Sequence, residues 1–522
     1  MRLHDFLDYH AREQPEVEFA VEADRRLTYH DAAEAVNRIA HALVESGLSA
    51  GDRMAVLSKN SIEYALLYFA ASRVGAITVP LNYRLAPPEI SYIVNDSESR
   101  MLLASDEYVP LIDGIRGELG AVKRFVAIGR GAGGWNAWDD FIAGHPATAP
   151  ARNISADADV YQMYTSGTTG RPKGAVITHR ALATNLQQVT FSITSTVRSE
   201  PGDRCLIVAP LYHAAAAMTA FFAVYVGASM WIMADFVPAE VVRALSEERI
   251  AMATLVPAMI QACLVMVPDV AERRYPSLRL ISYGASPIAE HTLRQALEVF
   301  GCEFAQGYGM TELSAVATYL LPGDHRRALA EKPELLLSAG RPIVGTEIRI
   351  VDGNDRDVPR GTIGEIIVRG GQMMRGYWRQ DAATKEALRG GWMHTGDAGL
   401  MDEEGFIYIQ DRMKDMIVSG GENIYPREVE DVLLEHPAIA DAAVLGVPDE
   451  RFGEAVKAVV MLRAGASATE ADIVEFCRDK LGGYKRPRSV DIVDTLPRNP
   501  TGKILKTALR DKYWAGRARR VG

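Results

Sequence analysis

The stretch Tyr164 to Gly174 reads YTSGTTGRPKG; it continues the apolar run VYQMY and leads into AVITHRALATN. Gly167, Gly170 and Gly174 let backbone amides approach an anion, and Thr165, Ser166, Thr168 and Thr169 add hydroxyl donors. Lys173 supplies a cation. A loop built this way cradles a polyphosphate. Its spacing is not the GxxxxGK followed by Ser or Thr of the P-loop, so P-loop kinase or GTPase chemistry is not implied. A Gly/Ser/Thr-rich linker shares the composition, but a linker rarely sits between a strand-like run and a segment of this kind.

Around this loop, short β-branched runs alternate with helical stretches. DRMAVLS, SIEYALLYFAASRVGA and ITVPLN (residues 52–82) read as strand, helix, strand, as do RLISYGA, AEHTLRQALEVFG and CEFAQGYG (residues 279–309). That order, with Gly and Pro at the joints, predicts mostly parallel α/β layers. From Ser338 the texture changes to short alternating strands with glycine turns, AGRPIVGTEIRIVD, GTIGEIIVRG and GFIYIQDR, which predict a small β-barrel or meander over about 338–410. Beyond Asp411, REVEDVLLEHP, IADAAVLGVPD, EAVKAVVML and EADIVEFCRDKL alternate helix and strand again. The charged and then glycine-rich IQDRMKDMIVSGG looks like a hinge, so the predicted domains are 1–411 and 412–522, the second a small α+β domain.

At 522 residues the chain is too long for one ordinary core. Apolar residues make up 48% and charged residues 24%, a globular and not a disordered balance. The net charge of −10 offers nothing in bulk to nucleic acid or an anionic membrane. Cys205, Cys263, Cys302 and Cys477 lie far apart with no CxxC pair, and read as buried thiols of a reducing compartment. The N-terminal MRLHDFLDYHAREQPEVEFA has no apolar run of signal-peptide length, so the expected location is cytoplasmic. Residues 214–234 form 21 positions without a charge, long enough to span a bilayer. Gly227 interrupts the run and no basic flank follows, so a buried helix leading into a buried strand is expected instead.

Further motifs follow in order: PLYH at Pro210–His213, GYGMTE at Gly307–Glu312, TGD at Thr395–Asp397, DRMKD at Asp411–Asp415, SGGENIYP at Ser419–Pro426, and a PTGK turn ending at Lys503. In GYGMTE an aromatic is available to stack on a base, while Thr311 and Glu312 offer oxygens to a hard cation that binds few carboxylates plus phosphates. Asp397, which follows Gly396 and precedes Ala398 and Gly399, reads either as a carboxylate presented at a loop tip to a diol or as a turn aspartate. With the phosphate loop, these motifs make the chain resemble the adenylate-forming superfamily: the acyl-CoA synthetases, with firefly luciferase and the peptide-synthetase adenylation domains as relatives. The resemblance runs from LTY at Leu27 to the C-terminal PRNPTGKILK.

The resemblance implies that ATP and Mg²⁺ bind here, with coenzyme A as co-substrate. It assigns Tyr308 and Thr311 to the nucleotide, Glu312 to Mg²⁺, Asp397 to the ribose hydroxyls, and Arg412 to phosphate or ribose. Gly284 and Ala285 lie against adenine in this reading, although they also fit ordinary packing at a strand end. Lys503, Lys173, Thr168 and His213 are the implied catalytic set, with Lys503 acting on the carboxylate and α-phosphate. Gly420 and Gly421 give pantetheine close passage past backbone, and Lys414 is the implied hinge. Peptide-synthetase relatives hold a substrate ammonium with an Asp near His213, but PLYH is followed here by four alanines, which disfavours amino acids. Ala214 to Ala217, with Gly284, Gly307 and Gly309, suggest a roomy apolar pocket. The expected reaction is AMP-forming ligation of a medium- or long-chain fatty acid to CoA. An aromatic acid is the alternative substrate. An acyl-AMP ligase loading a carrier protein and a non-catalytic ligand-binding homologue are the alternatives of other kinds, and intact Lys503, Glu312 and Lys173 argue against the last. A homodimer and peripheral membrane contact stay open.

Overall fold

The computed structural model describes residues 1–515 apart from 132, 166–170, 196, 199, 285–287, 289, 413–414, 420–421, 450, 479 and 499–503. The chain packs as two units. One takes Met1–Ile348 with Val368–Met393, and the other Arg349–Ile367 with His394–Gly522.

In the first unit, Arg53–Leu57, Ile62–Val74 and Ile77–Pro80 form the predicted strand, helix and strand, with Arg53 beside Ile77 in parallel register. The helix is buried all round, Glu63 excepted, because it carries no polar stripe. Ser61 caps its start by accepting from the Tyr64 amide, and Gly75 at φ 77° ends it. A Cβ at Gly75 would stand 2.8 Å from Ile154, so space as well as conformation requires glycine. These strands belong to an eight-stranded sheet ordered Gly376–Tyr377, Lys173–Thr178, Asp159–Thr165, Ile77–Pro80, Arg53–Leu57, Met101–Ser105, Arg124–Ile128 and Asn136–Ala137. The strand Ile77–Pro80 is buried along its whole length, as expected of a parallel strand covered on both faces.

A nine-stranded sheet holds the second predicted unit of this type. Leu280–Gly284, the helix Glu290–Phe300 and Glu303–Tyr308 follow in order, with Gly284 paired to Gly307 in parallel. The uncharged run from Ala214 divides as expected into the helix Ala214–Val226, the left-handed Gly227 and the strand Ser229–Ile232, all four of whose residues are buried. Among the described residues no helix is long and apolar enough to cross a membrane.

The strand-rich segment predicted after Ser338 is a four-stranded sheet that takes Thr346–Val351, Gly364–Gly370, Met393–Met401 and Ile407–Arg412 in chain order. Within the second unit a further sheet is built on the long antiparallel pair Ile439–Asp449 and Gly453–Leu462. The helices Pro426–Leu434 and Glu470–Phe476 pack their apolar faces on it through Val429, Leu433 and Ile473. Cys205, Cys263 and Cys477 are buried free thiols and Cys302 is half-buried, and burial pushes the first two up to about 12.

Several imidazoles are buried and neutral. His325 lies between Tyr283, whose hydroxyl is 2.9 Å from Nε2, and the Leu321 carbonyl, 3.0 Å from Nδ1. The carbonyl only accepts, so the proton sits on Nδ1 and Tyr283 donates to Nε2. Burial pulls His325 and His179 down to about 4. The unfolded chain therefore binds more protons than the folded one between pH 6.5 and 4, and stability falls as the pH drops through that window. Each such imidazole is expected to cost about 2 kcal/mol at pH 5 relative to pH 7. Urea midpoints should fall from pH 7 to 5, and His325→Gln should weaken that fall; an identical pH dependence in the variant would overturn the assignment.

Candidate active site

The phosphate-loop stretch is the connection of an antiparallel hairpin, Asp159–Thr165 against Lys173–Thr178, with Thr165 opposite Lys173 and Tyr164 opposite Gly174. Ser166, Gly167, Thr168, Thr169 and Gly170 lie outside the described residues, so the structure shows the mouth of the loop and its supports. A Cβ at Gly174 would stand 2.6 Å from the Gln162 amide nitrogen, which accounts for glycine there. The same amide donates to the Tyr164 hydroxyl at 3.0 Å, and Tyr164 donates to Asp96 Oδ2 at 2.6 Å. Burial, and then Asp96, raise the Tyr164 phenol far above its ordinary value, so it stays a neutral donor. Trp378 closes the arrangement, with its amide donating to the Gly174 carbonyl at 2.8 Å and its indole to the Asp96 carbonyl at 3.0 Å. The Arg53 guanidinium lies 3.4 Å from the centre of the Trp378 ring.

Tyr308 ends its strand and is half-buried, as is Thr311, which opens the short turn Thr311–Leu313. Glu312 in that turn is only 4% exposed. Its Oε1 accepts from the Tyr377 hydroxyl at 2.9 Å and from Thr165 Oγ1 at 3.2 Å, while its carbonyl accepts from the Met374 amide at 2.8 Å. The Lys173 ammonium lies 5.2 Å from the centre of the Tyr377 ring. Thr165, Lys173 and Glu312, from two separate motifs, thus meet around one tyrosine that sequence reasoning did not single out. The chain turns away after Glu312 through Ser314, whose φ of 64° is unusual for a residue with a side chain. The Tyr161 hydroxyl on its carbonyl and its own hydroxyl on the Gln372 carbonyl hold it there.

The glycines read as pocket openers do a different job. A Cβ at Gly284 would stand 2.2 Å from the Gly307 carbonyl oxygen, and one at Gly309 would stand 2.1 Å from the Ala315 carbonyl oxygen. They permit close backbone approach and do not by themselves make room. Ala285 is outside the described residues. His213 stands at the N-terminus of the helix Ala214–Val226, half-buried, with Nε2 buried and without a hydrogen-bond partner among the described residues. Burial, and then the nearby Arg84, lower it to about 4, so it is neutral at pH 7. Of the following alanines, Ala214, Ala216 and Ala217 are packed in the core and Ala215 is exposed.

In the second unit, Asp397 departs from the loop-tip expectation. It sits inside the nine-residue strand Met393–Met401, 5% exposed, opposite Arg412. Gly396, at φ 69°, bends this strand without ending it, because the flanking residues stay fastened. Thr395 donates to the Ile366 carbonyl at 2.7 Å and accepts from the Asp397 amide at 3.1 Å, and the Gly396 amide donates to Glu365 at 3.1 Å. The side chain of Arg412 and the whole of Lys414, Gly420, Gly421 and Lys503 lie outside the described residues. Among their neighbours, Arg498 pairs with Ile504, Lys506 reaches Glu430 at 2.8 Å, and Arg510 reaches Asp415 at 2.8 Å.

Comparison with known proteins shows the family. Residues 7–378 match the AMP-binding enzyme family, and residues 428–503 match the AMP-binding enzyme C-terminal domain. A fatty acid–[acyl-carrier-protein] ligase of Streptomyces coeruleorubidus is 37% identical over 522 residues, 98% of this chain and 96% of that protein. A long-chain-fatty-acid–CoA ligase of Mycobacterium tuberculosis is 37% identical over 495 residues, 94% of each. Among solved structures, an anthranilate CoA ligase in complex with anthranoyl-AMP superposes with a TM-score of 0.89 at 28% identity, covering 98% of this chain and 97% of the other. With both families matched in order and relatives aligned over almost their whole lengths, the chain belongs to the AMP-binding enzyme family and is an AMP-forming acid–thiol ligase.

Proposed function

We propose that the protein activates a medium- or long-chain fatty acid with ATP and passes the acyl group to CoA. The observation that carries the reading is the gathering of Thr165, Lys173 and Glu312 at the mouth of the phosphate loop. Lys173 and the loop amides bind the phosphates, Tyr308 lies against the base, and Asp397 and Arg412 serve ribose and phosphate. Glu312 suits Mg²⁺: a buried carboxylate with hydroxyl neighbours is an all-oxygen donor set of the kind a hard ion shares with phosphates. When bound, the ion neutralises phosphate charge.

A carboxylate oxygen of the acid attacks the α-phosphorus, the bond to pyrophosphate breaks, and acyl-adenylate results. The thiolate then attacks the activated carbonyl and AMP leaves. No protein nucleophile is needed. Lys503 serves the first step and the Gly420–Gly421 segment the second, with Lys414 as hinge and 412–522 as the moving domain.

Both curated relatives named above are fatty acid ligases, and no carboxylate follows His213 to hold a substrate ammonium. They differ in acceptor, carrier protein for one and CoA for the other. The anthranilate ligase supports an aromatic acid as the second reading. Pyrophosphate release across alkyl and aryl acids, with CoA or a pantetheinylated carrier, tests all of these. Release with aryl acids alone, or thioester on the carrier alone, would overturn the leading reading. Ala215 supplies a finer test, because it alone of the four alanines is not packed in the core. Ala215→Trp is expected to shorten the longest acid accepted while ATP use is unchanged, since bulk there obstructs alkyl length without touching phosphate contacts. A folded variant with an unchanged chain-length profile would place the acyl pocket elsewhere.

A further inference from the structure

We infer that Tyr377 is a positioning residue of the nucleotide site, which orients Glu312 toward its cation and holds Lys173 apart from it. The inference rests on the proposed reading of Glu312 as the Mg²⁺ ligand. Tyr377 belongs to none of the motifs above; it lies in GQMMRGYW, between GTIGEIIVRG and TGD.

Its position is set by backbone. Gly376 and Tyr377 form a short edge strand that pairs antiparallel with Val176 and Ala175, on the same strand that begins at Lys173. The Tyr377 amide donates to Thr384 Oγ1 at 2.9 Å. A Cβ at Gly376 would stand 2.6 Å from the Thr384 methyl, so the residue before the tyrosine has to be small. Two residues earlier in this segment, the Met374 amide ties it to the Glu312 carbonyl. The ring is therefore carried by an edge strand paired to the phosphate-loop hairpin, in a segment fastened to the turn that bears the acid.

Two consequences follow. First, the Tyr377 and Thr165 hydroxyls both donate to the same carboxylate oxygen, Oε1. Two donors on one oxygen fix the plane of the carboxylate and leave Oε2 for a cation. Second, the ring face lies 5.2 Å from the Lys173 ammonium, and no ion pair joins Lys173 to Glu312 among the described residues. An ammonium and a carboxylate that share one aromatic neighbour in a half-buried site attract each other. Paired with each other, the one would be lost to phosphate and the other to the ion. The aromatic ring takes the ammonium on its face and the carboxylate at its hydroxyl, so both charges stay available.

Two variants separate these roles. Tyr377→Phe keeps the ring and removes the donor. It is expected to raise the Mg²⁺ concentration for half-maximal pyrophosphate release by about 10-fold, the loss of one hydrogen bond to a charged group. It should also reduce the thermal protection given by MgATP while leaving that given by ATP with EDTA unchanged. Tyr377→Leu removes the ring as well, and should weaken protection by ATP in EDTA too. Unliganded melting temperatures of Tyr377→Phe and wild type are expected to coincide within a few degrees. A Tyr377→Phe enzyme with wild-type Mg²⁺ dependence and wild-type MgATP protection would overturn the inference, as would equal loss of protection with and without Mg²⁺. Wild-type protein that gains no protection from MgATP would instead overturn the reading of Glu312 on which it rests.

Discussion

Lys503→Ala is expected to slow acyl-adenylate formation by about 10²-fold or more, the scale for removing one preorganised charge at a developing anion, while thioester formation from supplied acyl-adenylate largely survives. The asymmetry follows from where charge moves. In the first half-reaction negative charge shifts from carboxylate to phosphate, and a cation placed there stabilises the transition state more than the ground state. In the second, the charge leaves with AMP and the carbonyl is attacked by a thiolate. The described residues that flank the substitution are held by contacts that do not involve Lys503. On either side of PTGK, Arg498 pairs with Ile504 and the Leu505 amide donates to the Pro497 carbonyl at 2.8 Å. The helix Lys506–Trp514 that follows is anchored by Lys506 on Glu430, Arg510 on Asp415, and the Trp514 indole on the Gly446 carbonyl. Pyrophosphate release and single-turnover thiolysis of acyl-adenylate, measured side by side, decide the matter. Equal loss in both half-reactions would sink the assignment.

Glu312→Gln is expected to lower turnover by about 10²-fold and to shift the Mg²⁺ requirement upward. The amide has the shape of the carboxylate, and its oxygen still accepts from Tyr377 and Thr165, so the packing of a side chain 4% exposed is kept. What disappears is the negative charge, which a hard divalent cation requires and a carbonyl dipole replaces poorly. A Mg²⁺ titration of pyrophosphate release, with the melting temperature as control for folding, tests this. Wild-type ATP and Mg²⁺ kinetics in the variant would mean that the nucleotide site is misplaced.

Much of this protein is legible along the chain. The pairs of parallel strands with a helix between them, Arg53–Leu57 with Ile77–Pro80 and Leu280–Gly284 with Glu303–Tyr308, lie where β-branched runs and glycine joints place them. The uncharged run from Ala214 could be read as a buried helix and strand because Gly227 interrupts it, and a left-handed glycine is how a helix of 13 residues ends. Such features depend on propensity and periodicity, which act over a few residues. The motifs YTSGTTGRPKG, GYGMTE and PTGK stand out along the chain for a related reason: the chemistry they suggest needs several residue types at fixed short spacing.

Tertiary structure alone decided how those parts are held. Tyr377 meets Glu312 across 65 residues, Thr165 meets Glu312 across 147, and Trp378 meets Asp96 across 282. No local pattern marks such partners, since a tyrosine that orients a carboxylate and one that fills a core look alike in sequence. Asp397 was misplaced on a loop tip because glycines on both sides suggest a turn, whereas strand pairing across 393–412 keeps the segment extended and takes up Gly396 as a bend. Gly284 and Gly309 appeared to leave room for substrate, but carbonyl oxygens of Gly307 and Ala315 occupy the space where side chains would begin. Sequence determined which chemical groups are present and in what local conformation. Which groups share a neighbour depends on strand order and register, set by burial of whole faces across the sheets, a property of the assembled chain and of no single stretch.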